Sequence, residues 1–102
     1  MSFDIQLSKS AKTDLINAIH WYEDKVPGLG NRFKNSIQKG IETLKKNPTI
    51  FQFQYDEIRV LFLKKFPFSV HYKVDMSKRI VLIIAFFHTS QNSDLWENRD
   101  YE

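Results

Sequence analysis

The run IRVLFLKKFPFSVHYKVDMSKRIVLIIAFFH, residues 58–88, decides the fold. In Ile58 to Leu63, alternation puts Ile58, Val60 and Phe62 on one side and Arg59, Leu61 and Leu63 on the other, the pattern of a strand. After the knot Lys64-Lys65-Phe66-Pro67-Phe68, a second strand turns Phe68, Val70, Tyr72 and Val74 one way and Ser69, His71, Lys73 and Asp75 the other. Such a strand is expected to be buried on one face only. Asp75-Met76-Ser77-Lys78 is a short polar turn. Ile80 to Phe87 is apolar on both faces, as a central strand must be, and His88 ends the run with a titratable ring.

Outward from this sheet, Phe3 to Leu7 alternates as a first strand, with its pairing partner left open. Ser8 or Ser10 can cap a helix whose stripe is Ala11, Leu15, Ala18, Ile19 and Tyr22, and Pro27-Gly28 stops it. A second helix carries Leu29, Phe33, Ile37, Ile41 and Leu44, with Lys45 and Lys46 at the negative end of its dipole before Asn47-Pro48. The short joint, Val26 to Gly30, makes the two helices an antiparallel hairpin whose stripes lie on the apolar sheet face. Thr49 to Glu57 reads as an irregular connector, with Phe51, Phe53 and Tyr55 filling gaps at the core edge. The expected fold is α+β, in the order β-α-α-β-β-β: an N-terminal strand and a helical hairpin packed on a twisted antiparallel sheet.

With 102 residues and 42% hydrophobic content, the chain can close one core, so residues 1–102 are read as a single domain. The absence of Cys excludes disulfides, thiolate catalysis and Cys-based zinc sites. No apolar run approaches the ~20 residues that cross a bilayer, and Met1-Ser2-Phe3-Asp4 does not open as a signal peptide, so a cytoplasmic protein without membrane contact is expected. Net charge is +3 and unevenly spread. Before Asp94, 14 Lys and Arg stand against 8 Asp and Glu; from Asp94 onward Arg99 faces Asp94, Glu97, Asp100 and Glu102. A basic body suits anionic partners or is an ordinary solvated surface, and residues 94–102 read as a loosely held acidic tail.

His20, His71 and His88 are the first candidates for proton transfer, although their spacing is not that of a metal motif. His20 lies on the flank of the first helix, where a surface role is the simpler reading. His71 is expected on a polar strand face with Lys73 and Arg59, where it is either a binding residue or one of a solvated cross-strand pair. His88 ends a buried strand, where a catalytic ring and a ring bonded to backbone are both open readings. Arg59, Lys64, Lys65, Lys73 and Arg79 form a basic set that could hold a nucleic-acid backbone. Lysines also protect sheet edges from aggregation, which fits Lys64, Lys65 and Lys78 equally well. Trp21 borders the first helical stripe and serves either as core-edge packing or as an anchor for a partner protein. No Gly-rich phosphate loop, nucleophile elbow, metal-ligand spacing or acid pair is present, and no cofactor is expected.

In order and spacing, these pieces resemble the RelE/ParE superfamily of toxins from bacterial type II toxin-antitoxin modules, some of which stabilise plasmids. The resemblance covers nearly the whole chain. It is carried by Ala11, Asp14 and Leu15 with Trp21-Tyr22-Glu23, by Gly28-Leu29-Gly30-Asn31-Arg32-Phe33, and by Asn47-Pro48. Ile58-Arg59, Phe66-Pro67-Phe68, Tyr72, His88-Thr89-Ser90-Gln91-Asn92, Trp96 and Arg99 continue it. It implies the hairpin-on-sheet architecture, an antitoxin partner whose C-terminal segment wraps the toxin, docking at Trp21, and assembly into higher-order toxin-antitoxin complexes.

Two activities are implied by the resemblance. RelE-like members cut mRNA in the ribosomal A site, whereas ParE-like members poison DNA gyrase without established catalytic residues. For a ribonuclease, Arg59 matches the sheet Arg of the family and His88 is the candidate acid or base. Arg59, Lys64, Lys65, His71, Lys73, Gln91 and Arg99 would then form the surface that meets the target. Many relatives carry Arg where this chain has Gln91, and Gln cannot neutralise a phosphate. The acidic tail weakens the RNA case further, although Tyr101 offers an acid near the end. The Trp-Tyr hairpin and the His-plus-polar ending resemble ParE more. A non-toxic antitoxin-binding relic is the third reading, kept open by Gln91.

Overall fold

The computed structural model describes residues 2–90. Strand β1 (Asp4–Leu7) leads into helices α1 (Lys9–Lys25) and α2 (Leu29–Lys46), followed by β2 (Phe53–Tyr55), β3 (Ile58–Phe62), β4 (Phe68–Asp75) and β5 (Ile80–His88). The five strands form one sheet in the order β1-β5-β4-β3-β2. The α+β class, the hairpin and the β3-β4-β5 meander follow the sequence reading. Two features extend it. The connector after α2 contains the short edge strand β2, antiparallel to β3, and β1 lies parallel to β5, so the sheet is mixed. The reading of residues 94–102 as a tail concerns positions outside the described residues, as does every statement about Gln91, Trp96, Arg99 and Tyr101.

The helices form where the sequence places their caps and stripes. Ser8 is the N-cap of α1, its hydroxyl accepting the Ala11 N–H at 3.1 Å. Both expected stripes enter one core with Phe68, Val70, Tyr72, Val81, Ile83 and Phe86 of the sheet. At its closed end, Tyr22, Phe33, Phe66 and Phe68 pack as an aromatic group, with Tyr22–Phe33 centroids 4.9 Å apart and Phe33–Phe66 5.2 Å apart. Phe66 thus makes the turn before β4 part of the core.

The α1–α2 joint is tighter than length alone requires. Glu23, near the end of α1, accepts N–H bonds from Gly28 at 2.9 Å and Gly30 at 3.0 Å, so its carboxylate does for α2 what an N-cap side chain would do. Gly28 adopts φ +90°, a conformation other L residues rarely take. At Gly30 the constraint is space: a Cβ would lie 2.7 Å from the Ile19 carbonyl oxygen.

Strand β5 contains a bulge. His71 pairs with Ala85 but Tyr72 pairs with Ile83, leaving Ile84 as the extra residue. The bulge shifts the alternation, so that Val81, Ile83 and Phe86 join the hairpin core while Ile84, Ala85 and Phe87 join a second cluster with Ile58. Helix α1 is fastened beside it: the Asp14 carboxylate accepts the Phe86 N–H at 3.1 Å, and Ile83 accepts the Ser8 N–H at 3.0 Å.

The expectation that β4 is buried on one face only is corrected here. Ser69 and His71 are fully buried, because their polar atoms bond to one another and to neighbouring strands.

Replacing Gly30 by Ala should cost about 1–3 kcal/mol, since the added methyl must push the helices apart against backbone. Urea unfolding of Gly30→Ala checks this; a midpoint equal to that of the native chain would show that the helix contact is soft.

Candidate functional site

The candidate residues divide into two groups: side chains the fold holds in place, and cations it leaves at a groove. Arg59 belongs to the first. Its guanidinium donates to the Phe51 carbonyl at 2.6 Å and the Thr49 carbonyl at 3.4 Å, and it stacks over the Phe53 ring at 4.1 Å. Beside it across the β3–β4 pair stands Tyr72, whose hydroxyl donates to the Pro48 carbonyl at 2.6 Å. Arg59 and Tyr72 together fasten the connector that leads from α2 into β2. Burial pushes the Tyr72 hydroxyl up to about 12, an effect the nearby Arg59 charge partly opposes.

His71 is placed differently from its sequence reading. It pairs with Val60, one position along from the Arg59–Tyr72 pair, and therefore faces the opposite side of the sheet from Arg59. It is buried rather than solvated beside Lys73, which corrects the expected His71–Lys73–Arg59 surface. Its Nδ1 lies 3.0 Å from the Tyr55 hydroxyl and its Nε2 2.8 Å from Ser69 Oγ, which donates to the Phe87 carbonyl at 3.3 Å. Because the Ser69 hydroxyl donates to Phe87, the ring donates Nε2–H to Ser69 Oγ, with the Tyr55 hydroxyl as its partner at Nδ1. This is a structural chain that lets a polar strand face be buried. Lys73 itself is exposed and pairs with Glu57 at 3.7 Å.

His88 packs edge-on against Phe68, with ring centroids 5.3 Å apart, and its Nδ1 accepts the Ser90 N–H at 3.1 Å. That bond places the proton of a neutral ring on Nε2. Trp21 is 53% exposed, with the Lys25 ammonium 4.9 Å from its ring, so it lies on the surface rather than in the core edge. Arg79 stacks over Phe3 at 4.4 Å, and His20 is exposed on α1. Gln91 and Arg99 lie outside the described residues. Among the described residues no cluster of His, Asp or Glu could hold a metal ion, and no helix is long and apolar enough to cross a membrane.

Lys64 and Lys65 are exposed in the turn between β3 and β4, and the fold brings them to a groove the sequence did not reveal. The groove, about 640 Å³, runs between α2 and the segment Leu61–Phe66. Arg32 and Lys39 stand on its helical wall and Lys64 and Lys65 on the other, while Leu29, Leu61 and Leu63 contribute apolar surface. The wall of α2 is low because Ser36, Gly40 and Thr43 are small. A Cβ at Gly40 would come within 2.8 Å of Leu61 Cδ2, so glycine lets that leucine reach the helix.

The family model described as the ParE toxin of the type II toxin-antitoxin system parDE matches residues 5–93. The chain therefore belongs to the ParE toxin family, within the RelE/ParE superfamily. Solved structures share the fold at low sequence identity. One is of the chromosomal ParDE toxin-antitoxin system of P. aeruginosa (TM-score 0.74, 17% identity), covering 86% of this chain and 97% of that one. The isolated RelE toxin of E. coli is similar at TM-score 0.67 and 13% identity, with 93% of each chain covered. The intact RelBE complex of E. coli matches at TM-score 0.67 and 13% identity over 87% of this chain and 99% of that one. No curated protein matches the chain in a sequence search.

The Tyr72 environment gives a pH dependence with a defined sign. An unfolded chain ionises this hydroxyl near its ordinary 10.0, the folded chain only near 12. The stability contributed by keeping it neutral is fully present below pH 10 and is lost as pH rises from 10 to 12, by up to about 3 kcal/mol in all. Urea unfolding across that window should show the loss in the native chain and not in Tyr72→Phe, the lysines titrating alike in both; parallel slopes would place the ionisation elsewhere.

Proposed function

We propose that this chain is a ParE-like toxin that arrests growth by poisoning DNA gyrase and is held inactive by a cognate antitoxin. The observation that carries the choice of target is the position of Arg59. A ribonuclease of this fold needs a cation free to meet the phosphate as 2′-hydroxyl attack develops charge there. Arg59 is instead committed to two connector carbonyls and an aromatic ring. His71, read from the sequence as part of the target-binding surface, is buried on the other side of the sheet. The match to the ParE family model supports the same reading.

The antitoxin partner is supported by family membership and by fold neighbours solved as toxin-antitoxin complexes. Trp21 is the proposed aromatic anchor on the hairpin, being large, exposed and rigidly braced edge-on against Tyr22 at 5.1 Å.

Purified protein added to gyrase, plasmid DNA and ATP should accumulate protein-linked double-strand breaks, while mRNA on programmed ribosomes stays intact. Codon-positioned cuts in that mRNA, with no gyrase-linked breaks, would reverse the assignment and make the chain a RelE-like endonuclease. For the partner, Trp21→Ala should weaken the antitoxin complex by about 2 kcal/mol in calorimetric titration. An unchanged dissociation constant in a folded variant removes Trp21 from the interface.

A further inference from the structure

We infer that one long side of α2, with the lysine pair of the β3–β4 turn facing it, is a docking surface for the backbone of double-stranded DNA. Helix α2 carries Arg32, Lys34, Lys39, Lys45 and Lys46 against the single acid Glu42, and Glu42 is already answered by Lys45 at 3.4 Å. Arg32, Lys39 and Lys46 are spaced seven residues apart, just under two turns, so they fall close to one line along the helix. All three are exposed, as are Lys64 and Lys65 across the groove. Among the described residues, none of these five cations is in a salt bridge.

The arrangement matches a sugar-phosphate backbone in length and in chemistry. From Arg32 to Lys46 the line spans roughly 21 Å at 1.5 Å per residue, and each strand of a duplex presents a phosphate about every 3.4 Å of axis, so the cations run beside about six phosphates. A row of charge on a rigid helix suits a duplex, which is itself stiff over this length. Between the cations, Asn35, Ser36 and Thr43 line the groove with neutral donors of the kind that bond phosphate and sugar oxygens. No Asp or Glu is among the lining residues to repel the strand, and no His or Tyr to cut it.

A flexible single strand is the weaker match. Proteins that hold one stack its bases on successive aromatic rings. Phe62 is the sole exposed ring among the lining residues, and Phe33 of α2 is buried in the core. The inference rests on the gyrase reading only for its setting: gyrase works on a duplex, and a toxin that grips the same duplex is concentrated where the break is made. The binding itself needs only the cations and the DNA.

The test uses the full native chain and a fluorescently labelled duplex of about 20 base pairs, without gyrase, and reads anisotropy as salt is raised. Binding should weaken with salt at a log–log slope of about −4, as when four or five phosphates are neutralised, a loss on the order of 100-fold between about 50 and 200 mM. Lys39→Glu/Lys64→Glu/Lys65→Glu should weaken binding at least roughly tenfold and flatten the slope to about −2. Lys39→Gln/Lys64→Gln/Lys65→Gln should do the same to a lesser degree. Lys9→Glu/Lys12→Glu/Lys78→Glu makes the same change in net charge outside the groove and should leave affinity within about threefold. Thermal melts establish that each variant is folded. Equal losses in the two charge-reversed variants, no loss in either groove variant, or no binding at about 50 mM salt each overturn the inference. So does a single-stranded RNA of equal length that binds more tightly than the duplex. Because gyrase is not in this assay, failure of gyrase poisoning leaves these outcomes unaffected, and the two readings fail separately.

Discussion

Strand β5 has to be buried on both faces, and the rest of the molecule is arranged around that demand. Ile80 to Phe87 offers no polar side chain to either side, so each face needs a cover. The hairpin covers one, with Val81, Ile83 and Phe86 directed into its core. On the other, Ile84, Ala85 and Phe87 cluster with Ile58, Tyr55 and Leu82. The bulge at Ile84 makes the two sets compatible by moving the alternation one step, and Ser8 and Asp14 fasten α1 to the strand there.

This demand also accounts for the polar groups found inside. Ser69 and His71 lie on β4 beside the second face of β5 and share its burial. Left alone, a buried histidine and serine would each lose the hydrogen bonds they make to water, at about 1–3 kcal/mol apiece. The chain Tyr55–His71–Ser69–Phe87 replaces those bonds and ties β2, β4 and β5 together. The same economy acts on the hairpin side, where Arg59 and Tyr72 satisfy three carbonyls of the connector from Pro48 to Phe51.

Local pattern made much of this legible in the sequence. Ala11, Ala18 and Tyr22, and Phe33, Ile37 and Leu44, repeat at helical spacing and are buried where that spacing puts them. The three meander strands were visible because short polar stretches separate them. The parallel pairing of β1 with β5 was not, since Asp4 and Ile80 are joined by no local turn and nothing in either segment names the other. Strand β2, three residues long, gives alternation too little length to act on. His71 misled because alternation counts a polar residue as solvated, whereas burial depends on partners such as Ser69 and Tyr55 that come from register and from other strands.

The candidate site was legible by composition and not by position. Basic residues were evident, yet their availability depends on what each one touches. Arg59 looks like the best phosphate ligand in the sequence and is the most committed in the structure, with its guanidinium turned to backbone carbonyls. Lys64 and Lys65 look like ordinary turn lysines and end up facing Lys39 and Arg32 from a helix some 30 residues earlier. Exposed pairs such as Lys73 with Glu57 contribute little to stability, typically about 0–1 kcal/mol, so surface charges of this kind are free to be shaped by partners rather than by folding. Where four cations converge on an apolar groove with no acid beside them, folding supplies no reason for the arrangement, because like charges gathered on a folded surface repel one another. Any anion held there would relieve that repulsion, so the arrangement is one that the free chain tolerates rather than one that its folding requires.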